Sequence, residues 1–173
     1  HPDSKESVPV SRQITEMLLA LEDLPSVRIV VIGANSDAGG GVFQRKLKQF
    51  TKEHPRATYY PSVPSAHYLF LLSTADVLIG NSSSGIIEAP FVRLPFVNIG
   101  NRQSNREQGG NVINVQYDAK SVRKAIQSVL DRSRSLDMFN PYDLTTCPEE
   151  EIVTQLKHFI RRKDLLDKKL VIV

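Results

Sequence analysis

Cysteine, tryptophan and long apolar runs are scarce or absent in this chain of 173 residues. The single cysteine, Cys147, excludes an internal disulfide and any metal site built on several cysteines. The four histidines are scattered, and no two have the helical spacing of metal ligands, so we expect neither a metal nor a cofactor. No apolar run reaches the ~18–20 residues that a membrane-spanning helix requires. We therefore expect a cytoplasmic protein that does not enter a membrane.

Basic residues exceed acidic ones only slightly, and the net charge is +3. Much of the excess lies at residues 161–163 and 168–169, which is typical of a solvent-exposed helix face. Nucleic-acid binding favours basic residues interleaved with exposed aromatic rings, whereas only 7% of this chain is aromatic. We therefore expect no nucleic-acid partner. A mild positive charge suits an anionic small molecule such as a nucleotide diphosphate, but the charge alone does not identify the ligand.

Short β-branched runs alternate with longer amphipathic ones. The short runs predict buried strands of a parallel sheet; they cover residues 27–32, 57–60, 76–79, 95–99 and 111–115. Such alternation implies right-handed crossovers. We therefore predict one α/β domain over residues 1–173, with a Rossmann-like parallel sheet and helices on both faces.

The longer runs repeat apolar residues at the spacing of a buried helix face. The residues expected to point inward are Ile14, Leu18, Leu21, Phe43, Leu47, Phe50, Tyr68, Leu69, Leu71, Leu72, Val122, Ile126, Val129, Ile152, Leu156 and Ile160. The first helix starts close to His1, although a strand normally precedes the first helix of such a fold. Either the sheet starts late or the sequence is a piece of a longer protein, and we favour the second explanation.

The densest motif is the run from Ile79 to Glu88, where a strand ends and a helix starts near Ser84. Backbone N–H groups and serine hydroxyls at a helix N-terminus bind phosphate, and ligands of open α/β sheets bind where strands end. The Glu88 carboxylate, one turn later, can accept hydrogen bonds from a ribose diol. The alternative is a serine cap followed by a surface glutamate, and the residues alone do not decide between the two.

A second motif follows the next strand at residues 98–107, where Arg102 and Arg106 are suited to bidentate phosphate contacts. Taken by itself, this segment is better explained as a solvated loop with surface arginines. A third motif, the glycine-rich turn at 33–41, includes Asn35 and matches neither the Walker pattern nor the dinucleotide fingerprint. Parallel strands end at one edge of a sheet, so we expect the three motifs to lie side by side.

Together, IGNSSSGIIEAP at 79–90 and PFVNIGNRQSNREQGGNVINV at 95–115 closely resemble the hydrolysing UDP-N-acetylglucosamine 2-epimerases. These include enzymes of sialic-acid and legionaminic-type pathways and the epimerase half of the animal bifunctional enzyme. His1-Pro2 resembles the His-Pro that opens the family's second domain, and 35–39 resembles its Asn-x-Asp-Ala-Gly turn. The resemblance implies the C-terminal, UDP-binding half of a two-domain GT-B fold, with an N-terminal domain and a homo-oligomeric full-length enzyme.

The resemblance also implies roles for single residues. It implies elimination of UDP through a glycal and addition of water, which yields N-acetylmannosamine or a related sugar. His1 would assist loss of the diphosphate at the cleft between the domains, and Glu88 would hold the ribose. The remaining residues implied at the UDP site are Asn35, Asn81, Ser82, Ser83, Ser84, Gly85 and Arg102.

Two departures limit the comparison. The animal enzyme has a Lys-His pair near positions 61 and 62, where this chain has Pro61-Ser62, so the resemblance does not extend to the regulatory properties of the animal enzyme. The carboxylates that perform acid–base chemistry in the family belong to the first domain, so we expect this chain alone to be inactive. A GT-B glycosyltransferase, a nonhydrolysing epimerase and a non-catalytic nucleotide-binding module remain as alternatives.

Overall fold

Strands and helices alternate along the chain as predicted. The computed structural model describes residues 1–33, 38–131, 138–143 and 147–160. The chain divides into two units, His1–Pro141 and Tyr142–Val173. The elements of the first unit are α1 Val10–Glu22, β1 Ile29–Ile32, α2 Gly40–Glu53, β2 Ala57–Tyr60, α3 Ser65–Thr74, β3 Leu78–Gly80, α4 Ser84–Ile87, a 3-10 helix Ala89–Val92, β4 Phe96–Ile99, β5 Val112–Val115 and α5 Ala119–Leu130. The second unit contains α6 Pro148–Ile160.

All strand pairings are parallel, as the apolar runs predict. β1 pairs with β2, starting with Ile29 opposite Ala57. β4 pairs with β3 on one side and with β5 on the other. One detail differs from the prediction, because the strands form a two-stranded and a three-stranded sheet instead of one continuous sheet. Both sheets nevertheless share one hydrophobic core, which contains Val31 of β1 and Val97 of β4.

Helices cover both faces of the three-stranded sheet. Val97 belongs to the main core together with residues of α1 and α5. Its neighbour Phe96 lies against α4, where a Cβ on Gly85 would come within 2.3 Å of the Phe96 ring. Because successive side chains of a strand point to opposite faces, the two contacts place α5 and α4 on opposite sides of the sheet. The predicted layered α/β arrangement is therefore confirmed.

The main core confirms most of the predicted inward positions. The confirmed buried residues are Ile14, Leu18, Leu21, Phe43, Leu47, Phe50, Leu72, Val122 and Ile126. All except Leu72 belong to the main core, and Val129 packs against it while partly buried. α1 packs on both α2 and α5, so it connects the helix that follows β1 with the helix that follows β5.

The buried faces predicted for two helices, α3 and α6, are wrong in part or in full. In α3, Leu72 is buried in a small cluster with Ala89 and Leu94, but Leu69 is 50% exposed. α3 is apolar around its whole circumference, so its sequence does not single out one inward face.

In α6 the predicted inward residues Ile152, Leu156 and Ile160 are all exposed. α6 belongs to the second unit, Tyr142–Val173, and an apolar stripe predicts burial only where another element packs on it. Among the described residues, no helix is both long enough and apolar enough to cross a membrane.

Candidate functional site

The loops that follow β3 and β4 meet at the main-chain oxygen of Asn81. Asn81 is the residue after β3, and its carbonyl accepts a hydrogen bond from Arg102 Nη1 at 3.1 Å. It accepts a second from Gln103 Nε2 at 2.9 Å. Arg102 and Gln103 lie in the loop after β4. The predicted convergence of the two strand ends is therefore confirmed.

The start of the chain joins the same place. The backbone nitrogen of His1 donates to Asn81 Oδ1 at 2.8 Å, and Asn81 Nδ2 donates to the His1 carbonyl at 2.8 Å. Gln13 of α1 holds the segment that follows, because its Nε2 donates to the carbonyls of Asp3 and Val8. Gln13 is fully buried, and no motif of the sequence indicates this role.

The glycine-rich turn after β1 also reaches this edge. A Cβ on Gly39 would lie 2.8 Å from Val10 Cγ1 and 3.4 Å from Pro2 Cβ. The end of the turn is therefore packed against the segment that carries His1. Residues 34–37 of the turn, including the predicted site residue Asn35, lie outside the described residues.

The serine turn between β3 and α4 has an outer and an inner part. Ser82 and Ser83 are half-buried, whereas Ser84 and Gly85 are buried. The Ser84 hydroxyl forms a 2.6 Å hydrogen bond with the hydroxyl of Tyr68. The Gly85 N–H donates to the Ser82 carbonyl at 3.2 Å. The predicted ligand contacts of Ser84 and Gly85 stay predictions, and in this structure both groups bond within the protein.

Buried amide groups hold this turn from below. Asn111, at the start of β5, is fully buried. Its Nδ2 donates to the carbonyls of Gly85 and Leu94, both at 3.1 Å. The Asn111 side chain thus ties α4 to the segment just before β4, which stabilises the position of the serine turn.

Glu88 lies at the open side of α4. Its N–H donates to the Ser84 carbonyl, and its side chain is exposed. Burial raises the pKa of the Tyr68 phenol; its hydrogen bond with Ser84 lowers that pKa, and the negative charge of Glu88 raises it. The Glu88 carboxylate therefore lies close enough to the Tyr68 phenol to interact with it electrostatically. The helical spacing of the sequence predicts Tyr68 only as a core residue.

Two further residues support the loop after β4. The carboxylate of Glu6 accepts a hydrogen bond from the Asn101 N–H at 2.7 Å. Gly100 has φ +79, and a Cβ there would lie 2.4 Å from Tyr117 Cε2. Glycine is the residue that tolerates both this φ and this close approach. Neither Glu6 nor Tyr117 belongs to a motif, so the sequence offered no signal for either.

Tyr117 also approaches the Asn81 side chain, whose Nδ2 lies 3.4 Å from the phenol oxygen. Burial raises the pKa of Tyr117 to about 12; the Asn81 hydrogen bond and the charge of Arg102 lower it, whereas Glu6 and Asp3 raise it. The phenol therefore stays neutral at physiological pH. Its environment shows that Arg102 and two carboxylates lie close to the same edge of the sheet.

The space enclosed beside these loops is small. A cavity of about 20 Å³ is lined by His1, Gln13, Met17, Phe43, Gly80, Asn81, Ile99 and Tyr117. That volume accommodates about one water molecule. A nucleotide would therefore have to bind on the open side of the loops. Within the described part of the chain, no three His, Cys, Asp or Glu side chains are grouped to hold a metal ion.

Comparison with known proteins points to a single family. The sequence profile of the UDP-N-acetylglucosamine 2-epimerase family matches residues 1–156. The chain is 37% identical over 127 residues to the polysialic acid biosynthesis protein P7 of Escherichia coli, which covers 73% of this chain and 32% of that protein. It is 32% identical over 151 residues to UDP-N-acetylglucosamine 2-epimerase of Neisseria meningitidis, covering 86% of this chain and 39% of that protein.

A third relative is the hydrolyzing UDP-N,N'-diacetylbacillosamine 2-epimerase of Legionella pneumophila. The chain is 31% identical to it over 109 residues, which is 63% of this chain and 29% of that protein. The chain therefore spans about a third of the length of these curated relatives.

Solved structures show the same fold. The UDP-GlcNAc 2-epimerase of Methanocaldococcus jannaschii, in complex with UDP-GlcNAc and UDP, superposes with a TM-score of 0.61 at 19% sequence identity. The superposition covers 86% of this chain and 40% of that chain. The predicted Rossmann-like fold of the GT-B type is therefore confirmed.

Proposed function

Because the chain belongs to the UDP-N-acetylglucosamine 2-epimerase family, we propose that it supplies the UDP-binding half of a hydrolysing 2-epimerase. The observation that carries the proposal is the junction at Asn81, which brings the serine turn after β3 and Arg102 after β4 to one edge. Hydroxyl and guanidinium groups placed together in this way are suited to a diphosphate.

The proposed contacts follow from which side chains of the site are accessible to solvent. Ser82 and Ser83, on the outer part of the turn, bind the diphosphate together with Arg102. α4 has only four residues, so its dipole contributes little and the side chains provide most of the binding. The exposed Glu88 carboxylate accepts hydrogen bonds from the ribose hydroxyls.

The proposed reaction is elimination followed by hydration. The anomeric C–O bond breaks, UDP leaves, and a proton is lost from C2, which gives a glycal. Water then adds across the double bond with inversion at C2, so the products are UDP and N-acetylmannosamine. His1, Arg102 and the serine turn assist the departing diphosphate. The Legionella pneumophila relative is a hydrolyzing UDP-N,N'-diacetylbacillosamine 2-epimerase, which supports the hydrolysing reaction and a UDP-diacetamido sugar as the second candidate substrate.

We further propose that residues 1–173 act as a single domain, the C-terminal half of a two-domain enzyme. The relatives are about three times as long as the part that this chain matches. The proton transfers at C2 need groups within hydrogen-bond reach of the sugar, and we assign these groups to the other domain. A homo-oligomeric full-length enzyme and a cytoplasmic location stay predictions.

The test is product analysis with the full-length protein. Incubation with UDP-GlcNAc, or in parallel with a UDP-diacetamido sugar, is expected to yield free UDP and a free 2-epimeric sugar, both measured by NMR. A UDP-linked epimer as the product would show the nonhydrolysing reaction instead. Consumption of neither substrate would refute the proposal.

A pair of histidine variants tests the assignment of His1. We expect His1→Asn to lower turnover about 100-fold or more, the range of general acid–base assistance. His67→Asn alters an exposed histidine of α3 and is expected to leave turnover unchanged. Equal turnover of the two variants would remove His1 from the mechanism.

A further inference from the structure

We propose that Asn81 is a positioning residue that fixes His1 relative to Arg102, and not a contact of the nucleotide. The inference rests on the proposed function and replaces the role in UDP binding expected from the sequence. The first observation is the burial of this residue. Asn81 comes directly after β3, where a ligand contact is expected, yet it is only 4% exposed.

The side-chain amide of Asn81 has no donor left for a ligand. An asparagine amide has two N–H donors and one oxygen acceptor. The donors of Asn81 go to the His1 carbonyl at 2.8 Å and the Tyr117 hydroxyl at 3.4 Å. The oxygen accepts from the His1 nitrogen at 2.8 Å. The amide thus binds both backbone polar groups of His1, as a neighbouring strand would.

The main chain of Asn81 holds the opposite partner. Its carbonyl has two lone pairs, and these accept from Arg102 and Gln103. Gln103 is 2% exposed, so this second bond is shielded from water. One residue therefore sets the distance between the histidine and the arginine that the proposed reaction places on the same leaving group.

Replacement by aspartate separates positioning from ligand binding. Aspartate keeps the shape and the acceptor of asparagine but has no donor when ionised. In Asn81→Asp a carboxylate oxygen would face the His1 carbonyl and repel it. Misplacement of a catalytic group by about 1 Å can cost a factor of about 100 in rate. We therefore expect kcat of the full-length enzyme to fall about 10- to 100-fold, with little change in KM or in the Kd for UDP.

Asn98→Asp is the matched control. Asn98 is also a buried asparagine, 1% exposed, and its Nδ2 donates to Asn114 Oδ1 at 2.7 Å. The same Nδ2 also donates to the Gly100 carbonyl at 3.4 Å, and neither of these described hydrogen bonds involves His1. We expect it to lower the melting temperature but to leave kcat unchanged. If the two variants lose kcat equally, Asn81 is merely structural and the proposal is wrong.

A readout that does not depend on activity keeps the inference separate from the proposed function. In full-length protein labelled with ¹³C at histidine Cε1, the His1 resonance is assigned by its loss in His1→Gln. We expect it to shift in Asn81→Asp and to stay in place in Asn98→Asp. If the wild-type protein consumes no UDP-sugar, the proposed function fails and this resonance alone decides the positioning role.

Two results would overturn the inference. One is an unmoved His1 resonance in Asn81→Asp. The other is a Kd for UDP that rises tenfold or more with kcat unchanged, because that pattern identifies a nucleotide contact. If Asn81→Asp does not fold, Asn81→Ser, which also removes the link to the His1 carbonyl, is judged by the same measurements.

Discussion

Two glycines at the site are required for close packing. The Tyr117 ring packs directly on Gly100, and the Phe96 ring packs directly on Gly85, so neither position has room for a Cβ. The first contact joins the end of β4 to the segment after β5, and the second joins α4 to β4. A glycine within a phosphate-like motif can therefore be explained by packing, which the residue pattern alone does not reveal.

Gly85→Ala tests this explanation. The new Cβ would lie 2.3–2.4 Å from three atoms of the Phe96 ring, and overpacking of this kind costs about 1–3 kcal/mol. Chemical denaturation should show that loss of stability. Gly41→Ala is the control, because a Cβ there would meet only Arg45 Nη1, at 3.6 Å. Within α2 it should stabilise the protein by about 0.5–1 kcal/mol. Equal effects of the two variants would contradict the packing explanation.

Glu88→Ala tests the ribose contact. Loss of a hydrogen bond to a charged group costs about 1.5–3 kcal/mol, so the Kd for UDP should rise about 10- to 100-fold. Binding of inorganic phosphate should be unaffected, since the contact is with the sugar. Calorimetry measures both ligands, with Glu150→Ala of α6 as a control for loss of one exposed carboxylate. An unchanged Kd for UDP would remove Glu88 from the site.

At the scale of elements, the start of α5 is fixed by a side-chain cap. Asp118 precedes it in an extended conformation, and its carboxylate accepts the Ser121 N–H at 2.8 Å. Hydrogen bonds with the side chain and backbone of Ser121 lower the pKa of Asp118, and nearby Lys120 and Arg12 lower it further. The cap matters because α5 packs on both α1 and the three-stranded sheet.

The lowered pKa sets the sign of a pH effect. A carboxyl group whose pKa is lower in the folded state stabilises that state above its unfolded pKa, near 3.8, and loses the effect as pH falls through the folded value. Asp118→Ala should therefore lower the melting temperature at pH 7 and have much less effect near pH 2. The measurement is thermal unfolding at both pH values.

Asp131→Ala at the other end of α5 is the control for that experiment. Asp131 is an exposed acid next to the helix C-terminus, where negative charge is unfavourable. Its removal should leave the melting temperature at pH 7 unchanged or raise it. A cap effect that persists undiminished at pH 2 would show that the ionised carboxylate is not responsible.

At the scale of the whole molecule, the proposed reaction assigns Arg102 and the serine turn to the leaving diphosphate, and it assigns no pair of described carboxylates to the sugar. The acids near the site have other partners: Glu6 binds the Asn101 N–H, and Asp3 accepts from the Lys5 N–H. Exclusion of water from a glycal also requires closure of a cleft between two domains. The activity of the chain is therefore expected to depend on the rest of the enzyme.

This expectation is tested by comparing residues 1–173 with the full-length protein. The shorter protein should bind UDP weakly and release no UDP from UDP-GlcNAc, whereas the full-length protein should release it. Circular dichroism of the shorter protein establishes that it is folded before its activity is judged. Appreciable turnover by the folded shorter protein would mean that the proton-transfer groups lie within this chain.

The sequence by itself determined the order and kind of the main elements and the edge at which the candidate site lies. Strand and helix periodicity are local properties, so the runs at 57–60 and 95–99 predicted β2 and β4 closely. Parallel strands must end at a common edge, so two separated motifs were enough to predict that the loop with Arg102 meets the turn after β3.

Only the tertiary structure decided what each side chain does at that edge. The amide of Asn81 binds a residue 80 positions away, and Glu6 binds the loop after β4 across 95 positions. The same holds for Ser84, whose hydroxyl turns inward to Tyr68. The sequence also predicted the apolar stripe of α6, but it did not predict that this stripe is exposed. Burial and hydrogen-bond partners depend on which elements pack together, and no local pattern of residues records that packing.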